Sequence, residues 1–229
     1  MTKHLLRDLE NLKKQILTVG SLVEEAIQKS TQALLERRAD LADEVRHGDS
    51  VIDATEVAVE EECLKVLALH QPVAADLRFI VVVLKANNDL ERMGDLAENI
   101  AERAAFLCQH EPLRIPPEFR RMVDQVRTMV HQALDALVNL DASLARAVLQ
   151  GDRDVDDVHR RMFGALQETI EKDAGTIARA LHTLSASRYL ERIADHATNI
   201  AEDVIFLIEG QIVRHRATRA ANPAGPRRL

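Results

Sequence analysis

The chain has no tryptophan, and its aromatic residues are limited to five phenylalanines and one tyrosine. Glycine and proline are also scarce, with eight and six copies in 229 residues. No stretch alternates apolar and polar residues in the way that a half-buried strand does. Alanine, leucine, glutamate, arginine and valine dominate instead, which is typical of long packed helices. The composition therefore favours an all-helical protein.

Four further features of the sequence narrow the class of protein. The only cysteines, Cys63 and Cys108, lie far apart on helical patterns, which predicts reduced core thiols in a cytosolic protein and no disulfide. No run of about 20 apolar residues occurs, so we expect no membrane span. The first eight residues carry charges throughout, unlike a secretory signal. A formal net charge of -7 argues against a nucleic-acid partner and suits cation binding or plain solubility.

Several catalytic signatures are missing as well. The sequence has no phosphate-binding glycine loop, no nucleophile elbow and no Cys-x-x-Cys pair. Di-iron oxidases of the ferritin type need matched Glu-x-x-His motifs. The two segments with that spacing, 44–47 and 156–159, lie at non-equivalent positions, so oxidase chemistry is not expected.

The chain contains one helical segment twice, 100 residues apart. Residues 90–102 read LERMGDLAENIAE, and residues 190–202 read LERIADHATNIAE. Upstream, VRHGDSVID at 45–53 returns 103 residues later as VLQGDRDVD at 148–156. Acids and amides persist in both copies together with the apolar core. The repeat therefore predicts two copies of one structural unit, each with a site.

Apolar residues spaced by three and four predict six helices. Two short turns are expected to end at Gly48 and Gly151, so that Asp49 and Asp152 cap the second and fifth helices. Pro72 is expected in the first turn of the third helix, whereas the equivalent joint at 172–175 has no proline. The predicted helices span 5–36, 49–69, 72–109, 118–139 and 152–171, with a sixth that ends near 213.

Short connections make consecutive helices antiparallel, so each half is predicted to be an up-down-up three-helix bundle. The predicted fold class is all-α, with two tandem, pseudo-symmetric three-helix bundles. The expected boundaries are 1–110 for the first bundle, 111–117 for a proline-containing linker and 118–213 for the second bundle. Residues 214–229 are rich in arginine, alanine, proline and glycine, which predicts a disordered basic tail.

This folding pattern brings the repeated acids together. Residues four apart share one helix face. If the second helix folds back on the third at Pro72, residues equally far from that proline face each other. Asp53 and Glu91 are each 19 residues from it, and Asp49 and Asp95 are each 23. In the second half the pairs equidistant from the joint between Asp173 and Ala174 are Asp156 with Glu191 and Asp152 with Asp195.

Four carboxylates at one level of a bundle repel one another. A like-charge pair at 4 Å costs about 1 kcal/mol in water and about 4 kcal/mol at an effective dielectric of 20. The arrangement therefore favours a bound cation, and carboxylates on facing helices suit iron, manganese, magnesium or calcium.

The alternatives are that Glu91 and Glu191 form exposed ion pairs with the arginines that follow them, and that Asp49 and Asp152 are only N-caps. His196 follows Asp195 in one copy alone and is a further candidate ligand; the other histidines off the repeat register are interpreted as surface or core.

Three segments carry a resemblance to a known family. Residues 71–78 (QPVAADLR), 89–95 (DLERMGD) and 189–202 (YLERIADHATNIAE) resemble the PhoU family of phosphate-uptake regulators, and the similarity covers nearly the whole chain. The resemblance implies two similar three-helix bundles in tandem. It also implies a cytoplasmic, non-enzymatic protein that represses the phosphate-starvation response when phosphate is sufficient.

The resemblance further implies partners and metal ligands. The expected partners are the sensor histidine kinase of the phosphate regulon and the ATP-binding subunit of the phosphate ABC transporter, with membrane contact only through them, and a homodimer. The metal motif of the family is an acid, three residues and then Asp. Iron is the metal that the resemblance favours, and manganese, magnesium, zinc or calcium stay open. The motif falls on Asp49 with Asp53, Glu91 with Asp95, Asp152 with Asp156, and Glu191 with Asp195.

Two other functions stay open from the sequence. One is a purely structural adaptor whose acids are solvated. The other is a carboxylate-bridged metalloenzyme or phosphatase, for which the acids offer no evident general base. Two departures from the family pattern are minor, namely Ala194 in place of the glycine found at 94 and the missing proline at the second joint.

Overall fold

The computed structural model describes residues 3–210, and within that range every regular element is helical. The predicted all-α fold of two tandem three-helix bundles is confirmed. One 3-10 turn, Ala174–Thr176, precedes the last helix. The helices are α1 (Lys3–Glu36), α2 (Ala39–His70), α3 (Ala74–Cys108), α4 (Pro117–Asn139), α5 (Ala142–Lys172) and α6 (Ile177–Glu209).

The two bundles pack on each other along a central seam. Helices α1, α2 and α3 contact one another, as do α4, α5 and α6, and α3 lies against α6 between the two groups. Helix α1 also touches α4, at a point where a Cβ atom on Gly20 would lie 2.6 Å from Leu134 Cδ1. Glycine at this position therefore lets the two helices approach. Buried side chains run through both bundles and the seam as one core.

The repeat is visible in the backbone. Helix α1 ends at Glu36 and α4 at Asn139, and each is followed by a left-handed residue, Arg37 with φ of 58° and Leu140 with φ of 53°. Helices α2 and α5 then begin at Ala39 and Ala142. All these positions are 103 residues apart, so the offset predicted from the second and fifth helices extends to the first and fourth.

The predicted starts of the second and fifth helices are wrong. Gly48 and Gly151 lie inside α2 and α5, so Asp49 and Asp152 are not N-caps. Asp141 caps α5 instead, through hydrogen bonds from the backbone N–H groups of Ser143 and Leu144 at 2.8 and 3.0 Å. A glycine inside a helix costs about 1 kcal/mol relative to alanine, which tertiary packing readily offsets.

The starts of the third and fourth helices also differ from the prediction. Gln71 adopts the left-handed conformation after α2, and Pro72 lies before α3, whose N-cap is Val73. Residues 109–116 separate the bundles without helical structure, and Pro117 belongs to α4 and not to the linker. The predicted end of the last helix at 213 and the tail 214–229 lie outside the described residues.

Both cysteines are free thiols, Cys63 fully buried and Cys108 only half-buried at the last residue of α3. Burial raises the pKa of the Cys63 thiol to about 12. Within residues 3–210 no helix is long and apolar enough to cross a membrane.

Candidate metal sites on the repeated helix pairs

The helix register that places the acids is fixed by hydrogen bonds in both bundles. Asn87 Nδ2 of α3 donates to the backbone oxygen of Glu56 at 2.9 Å and to its Oε1 at 3.0 Å. In the second bundle, His159 Nδ1 of α5 lies 3.1 Å from Ser187 Oγ of α6. Along the sequence, Glu56 and Asn87 are equally far from Pro72 to within one residue, and so are His159 and Ser187 from the joint between residues 173 and 174. The antiparallel facing of α2 with α3 and of α5 with α6 therefore has the predicted register.

The first acid cluster consists of Asp49 and Asp53 on α2 and Glu91 and Asp95 on α3. The pKa of Asp49 is raised to about 6, first by partial burial and then by the negative charges of Glu98 and the other three members. Burial and Asp95 likewise raise the pKa of Glu91, with a further contribution from Asp53. The four carboxylates thus lie close enough to repel one another.

A small residue brings the two helices together at this cluster. A Cβ atom on Gly94 would lie 3.2 Å from Ile52 Cδ1 and 3.8 Å from Asp49 Oδ1. Glycine at 94 therefore lets α3 approach α2 beside the acids. At the equivalent place in the second bundle, Ala194 is fully buried against its neighbours.

The second acid cluster consists of Asp152 and Asp156 on α5 and Glu191 and Asp195 on α6. Partial burial raises the pKa of Asp152 to about 6, and repulsion by the other three members adds to it. Burial raises the pKa of Asp195 as well, followed by Glu191 and Asp156, while His196 and Arg188 act in the opposite direction. The two clusters share their composition, and burial and like-charge repulsion raise pKa values in both.

Few cations compensate these charges. Within residues 3–210, Glu191 is the one member of either cluster with an ion pair, which it forms with Arg188 of its own helix. Neither Arg92 nor Arg192 comes within ion-pair distance of the glutamate before it in this part of the chain, although the charge of Arg92 lowers the pKa of Glu91. Helical interior positions exclude the N-cap alternative for Asp49 and Asp152.

The donor set suits a hard cation, but the carboxylates are not gathered around one point. Among the described residues no three acidic, histidine or cysteine side chains converge tightly enough to coordinate an ion as they stand. Several of these acids are surface side chains that can change rotamer, so coordination would require such changes. The fit of a cation therefore rests on the four carboxylates whose pKa is raised, which are Asp49, Glu91, Asp152 and Asp195 and which form no ion pair within residues 3–210.

Replacing Asp152 by asparagine is expected to stabilise the metal-free protein at pH 7.5 by about 1 to 2 kcal/mol, after allowance for solvent screening. The folded-state pKa of about 6 lies above the ordinary value of 3.8. The carboxylate therefore destabilises the fold increasingly as the pH rises through that interval, and the penalty is absent below pH 4. Urea unfolding in EDTA at pH 4 and 7.5 measures the difference, with the exposed Asp154→Asn as the control. An equal effect at both pH values would contradict it.

Two groups of functional interest escaped the sequence analysis. Glu98 contributes the largest single charge effect on Asp49, and its position seven residues after Glu91 could have indicated the shared face. Its repeat equivalent is Thr198, so Glu98 is not among the acids that occur in both copies of the repeat. The second group is Asp89, a buried carboxylate of α3 whose repeat equivalent is Tyr189.

Asp89 joins the two bundles across the seam. Its Oδ1 lies 2.8 Å from His196 Nδ1 and accepts a hydrogen bond from Asn199 Nδ2 at 3.2 Å, both on α6. Lys85 Nζ makes a second link to Asp203 at 2.9 Å. The candidate ligand role of His196 is therefore not supported at Nδ1, which faces Asp89.

Elsewhere His70 pairs with Asp8 and His182 stacks on Phe106, in accord with their interpretation as surface or core residues.

Truncating Asp89 to alanine is expected to lower the free energy of unfolding by about 2 to 3 kcal/mol. The change leaves His196 Nδ1 and Asn199 Nδ2 without their acceptor at the seam between the bundles. Urea denaturation followed by circular dichroism measures the loss. The neighbouring exposed Asn88→Ala is the control, with an expected change within about 0.5 kcal/mol. Equal effects of the two substitutions would show that the bridge contributes nothing.

Comparisons with known proteins agree with this architecture. The PhoU domain family matches residues 16–104 and again 119–204, once for each bundle. A curated relative from Pseudomonas putida, a phosphate-specific transport system accessory protein PhoU homolog, is 43% identical over 91% of this chain and 82% of its own length. The phosphate-specific transport system accessory protein PhoU of Escherichia coli K12 is 33% identical over 91% of this chain and 86% of its own.

Solved structures show the same likeness. The crystal structure of PhoU from Pseudomonas aeruginosa matches with a TM-score of 0.86 at 41% identity, covering 90% of this chain and 99% of that one. The phosphate transport system regulatory protein PhoU from Streptococcus pneumoniae matches with a TM-score of 0.83 at 28% identity, covering 91% and 99%. Both halves of the chain therefore have counterparts in each of these structures.

Proposed function

Since the chain belongs to the PhoU family, we propose that it regulates phosphate transport as an accessory protein of the phosphate-specific transport system. In finer terms it is a cytoplasmic negative regulator of the phosphate-starvation response. It acts by docking on the ATP-binding subunit of the phosphate ABC transporter and on the sensor histidine kinase of the phosphate regulon. The observation that carries the proposal is the PhoU domain match in both bundles, with relatives named as accessory proteins of the phosphate-specific transport system at 33 to 43% identity over most of the chain.

The same proposal includes a metal site at each acid cluster. The first would be held by Asp49, Asp53, Glu91 and Asp95, and the second by Asp152, Asp156, Glu191 and Asp195. Support comes from the duplication of the clusters, from the mutual repulsion of their carboxylates and from the scarcity of compensating cations within residues 3–210. A bound cation would neutralise this repulsion and brace α2 against α3 and α5 against α6. Carboxylate ligands suit iron or manganese and also magnesium or calcium, with zinc a further candidate.

The proposal gives the protein no catalytic step, and its output is binding to partners. The homodimer belongs to the same proposal and is testable by light scattering. A structural adaptor without metal would share the docking role and differ in metal content alone.

Deleting the gene is expected to raise expression of phosphate-starvation genes in phosphate-rich medium, because repression requires the docked regulator. A transcriptional reporter measures this, and a plasmid copy of the wild-type gene should restore repression. A plasmid copy with Glu91, Asp95, Glu191 and Asp195 all changed to alanine tests whether the clusters contribute. Reporter expression that stays low in the deletion strain would contradict the regulatory proposal.

A further inference from the structure

A groove runs along the surface between α4 and α5 of the second bundle. Its volume is about 540 Å³. Met129 and Gly151 form an apolar floor, and a Cβ atom on Gly151 would lie 3.3 Å from Met129 Cγ. Arg120 and Arg121 line it from the first turns of α4, and Gln125 follows one turn later. Asp124 lines the same stretch of α4. The groove is thus apolar at its base, and two arginines against one aspartate give the α4 end a net positive charge.

The first bundle has a repeat-equivalent groove between α1 and α2, with a volume of about 200 Å³. Six lining positions correspond at the offset of 103 residues. They are Leu22 with Gln125, Glu25 with Thr128, Ala26 with Met129, Lys29 with Gln132, Glu44 with Ala147 and Gly48 with Gly151.

Ion pairs between charged side chains link the two helices that form the smaller groove. Lys29 Nζ lies 2.8 Å from Glu25 Oε1 on its own helix and 2.9 Å from Glu44 Oε2 on α2, which ties α1 to α2. We refer to Lys29, Glu25 and Glu44 as the strap. In the second bundle all three positions carry neutral residues, so no strap can form there.

Two observations indicate what the open groove binds. Gln125 Oε1 is shielded from solvent and has no hydrogen-bond partner among the described residues, so it offers an acceptor to an N–H donor. Arg120 and Arg121 are exposed and form no ion pair within residues 3–210. Asp124 offsets one of these charges, and the lining keeps a net positive charge on a chain of net charge -7, which favours an acidic ligand.

We infer that the α4–α5 groove binds an extended acidic segment of a partner protein. An aliphatic side chain of that segment packs on Met129 and Gly151, its carboxylates pair with Arg120 and Arg121, and one of its N–H groups donates to Gln125 Oε1. The inference rests on the proposed function, because a regulator that acts by docking needs a surface of this kind.

The test is a selection from a phage-displayed library of random 12-residue peptides on the full chain. The competing target is the variant Thr128→Glu, Gln132→Lys and Ala147→Glu, which builds the strap of the first bundle into the second. Peptides enriched on the wild type should combine acidic and aliphatic residues. A fluorescein-labelled synthetic copy should bind at least about tenfold more weakly to the strapped variant and to Arg120→Glu with Arg121→Glu.

The matched control removes the strap of the first bundle, through Glu25→Thr, Lys29→Gln and Glu44→Ala, and should leave peptide affinity unchanged. Equal affinity for the strapped variant, enrichment of basic or purely apolar peptides, or no enrichment at all would overturn the inference. A dimer of this chain that the strap disrupts would also overturn it, because the occupant would then be a second copy. Repression in the reporter assay is measured separately, so failure of the groove and failure of the regulatory proposal are distinguishable.

Discussion

Replacing Glu191 and Asp195 together by alanine is expected to change stability in opposite directions with chelator and with added metal. In EDTA the variant should be as stable as the wild type or more stable by up to about 1 kcal/mol, because like-charge repulsion is relieved and alanine favours a helix. Loss of the Glu191 pair with Arg188 offsets part of that gain. With metal at about 100 times its Kd the wild type gains about 2.7 kcal/mol that the variant lacks.

Urea unfolding under both conditions measures this reversal. Arg188→Ala isolates the effect of the ion pair, and Glu91→Ala with Asp95→Ala repeats the test on the first cluster. If the double variant were equally destabilised with chelator and with metal, Glu191 and Asp195 would be structural ion-pair partners and not ligands.

Phe119→Ala is expected to lower the free energy of unfolding by about 3 to 5 kcal/mol. Phe119 near the start of α4 is fully buried and lies in the core at the place that Ile16 takes in the first bundle. The truncation removes buried apolar surface and leaves a cavity that close-packed helices fill only in part. Phe163→Ala is the matched control, since that ring on α5 is 53% exposed and its loss should cost less than about 1 kcal/mol.

Thermal and urea unfolding of both variants provide the comparison. Similar losses for Phe119→Ala and Phe163→Ala would mean that the second bundle lacks the packed core described above.

The sequence was sufficient to predict the architecture because the repeat and the turn at Pro72 constrain it strongly. Equidistance from that turn predicts which residues face each other, and the contact of Asn87 with Glu56 confirms the register. The same equidistance places Asp152 near Asp195, and the negative charge of Asp195 contributes to the raised pKa of Asp152.

Other features depend on tertiary contacts that local rules do not describe. Gly48 and Gly151 resemble helix stops, yet both helices continue through them because packing outweighs the local cost. Asp89 was missed because its hydrogen-bond partners, His196 and Asn199, are more than 100 residues away in the sequence. In the other copy of the repeat, Tyr189 takes its place. The open groove became visible only when the lining of both bundles could be compared position by position.

The duplicated acid clusters are proposed to be cation sites, and the metal content of protein purified without chelator tests this most directly. Elemental analysis should find bound metal in the wild type and about half as much when either Glu91 with Asp95 or Glu191 with Asp195 is changed to alanine. The variant with all four substitutions should retain only background, with its helix content unchanged. Wild-type protein without metal, or a fourfold variant that holds as much as the wild type, would contradict the claim.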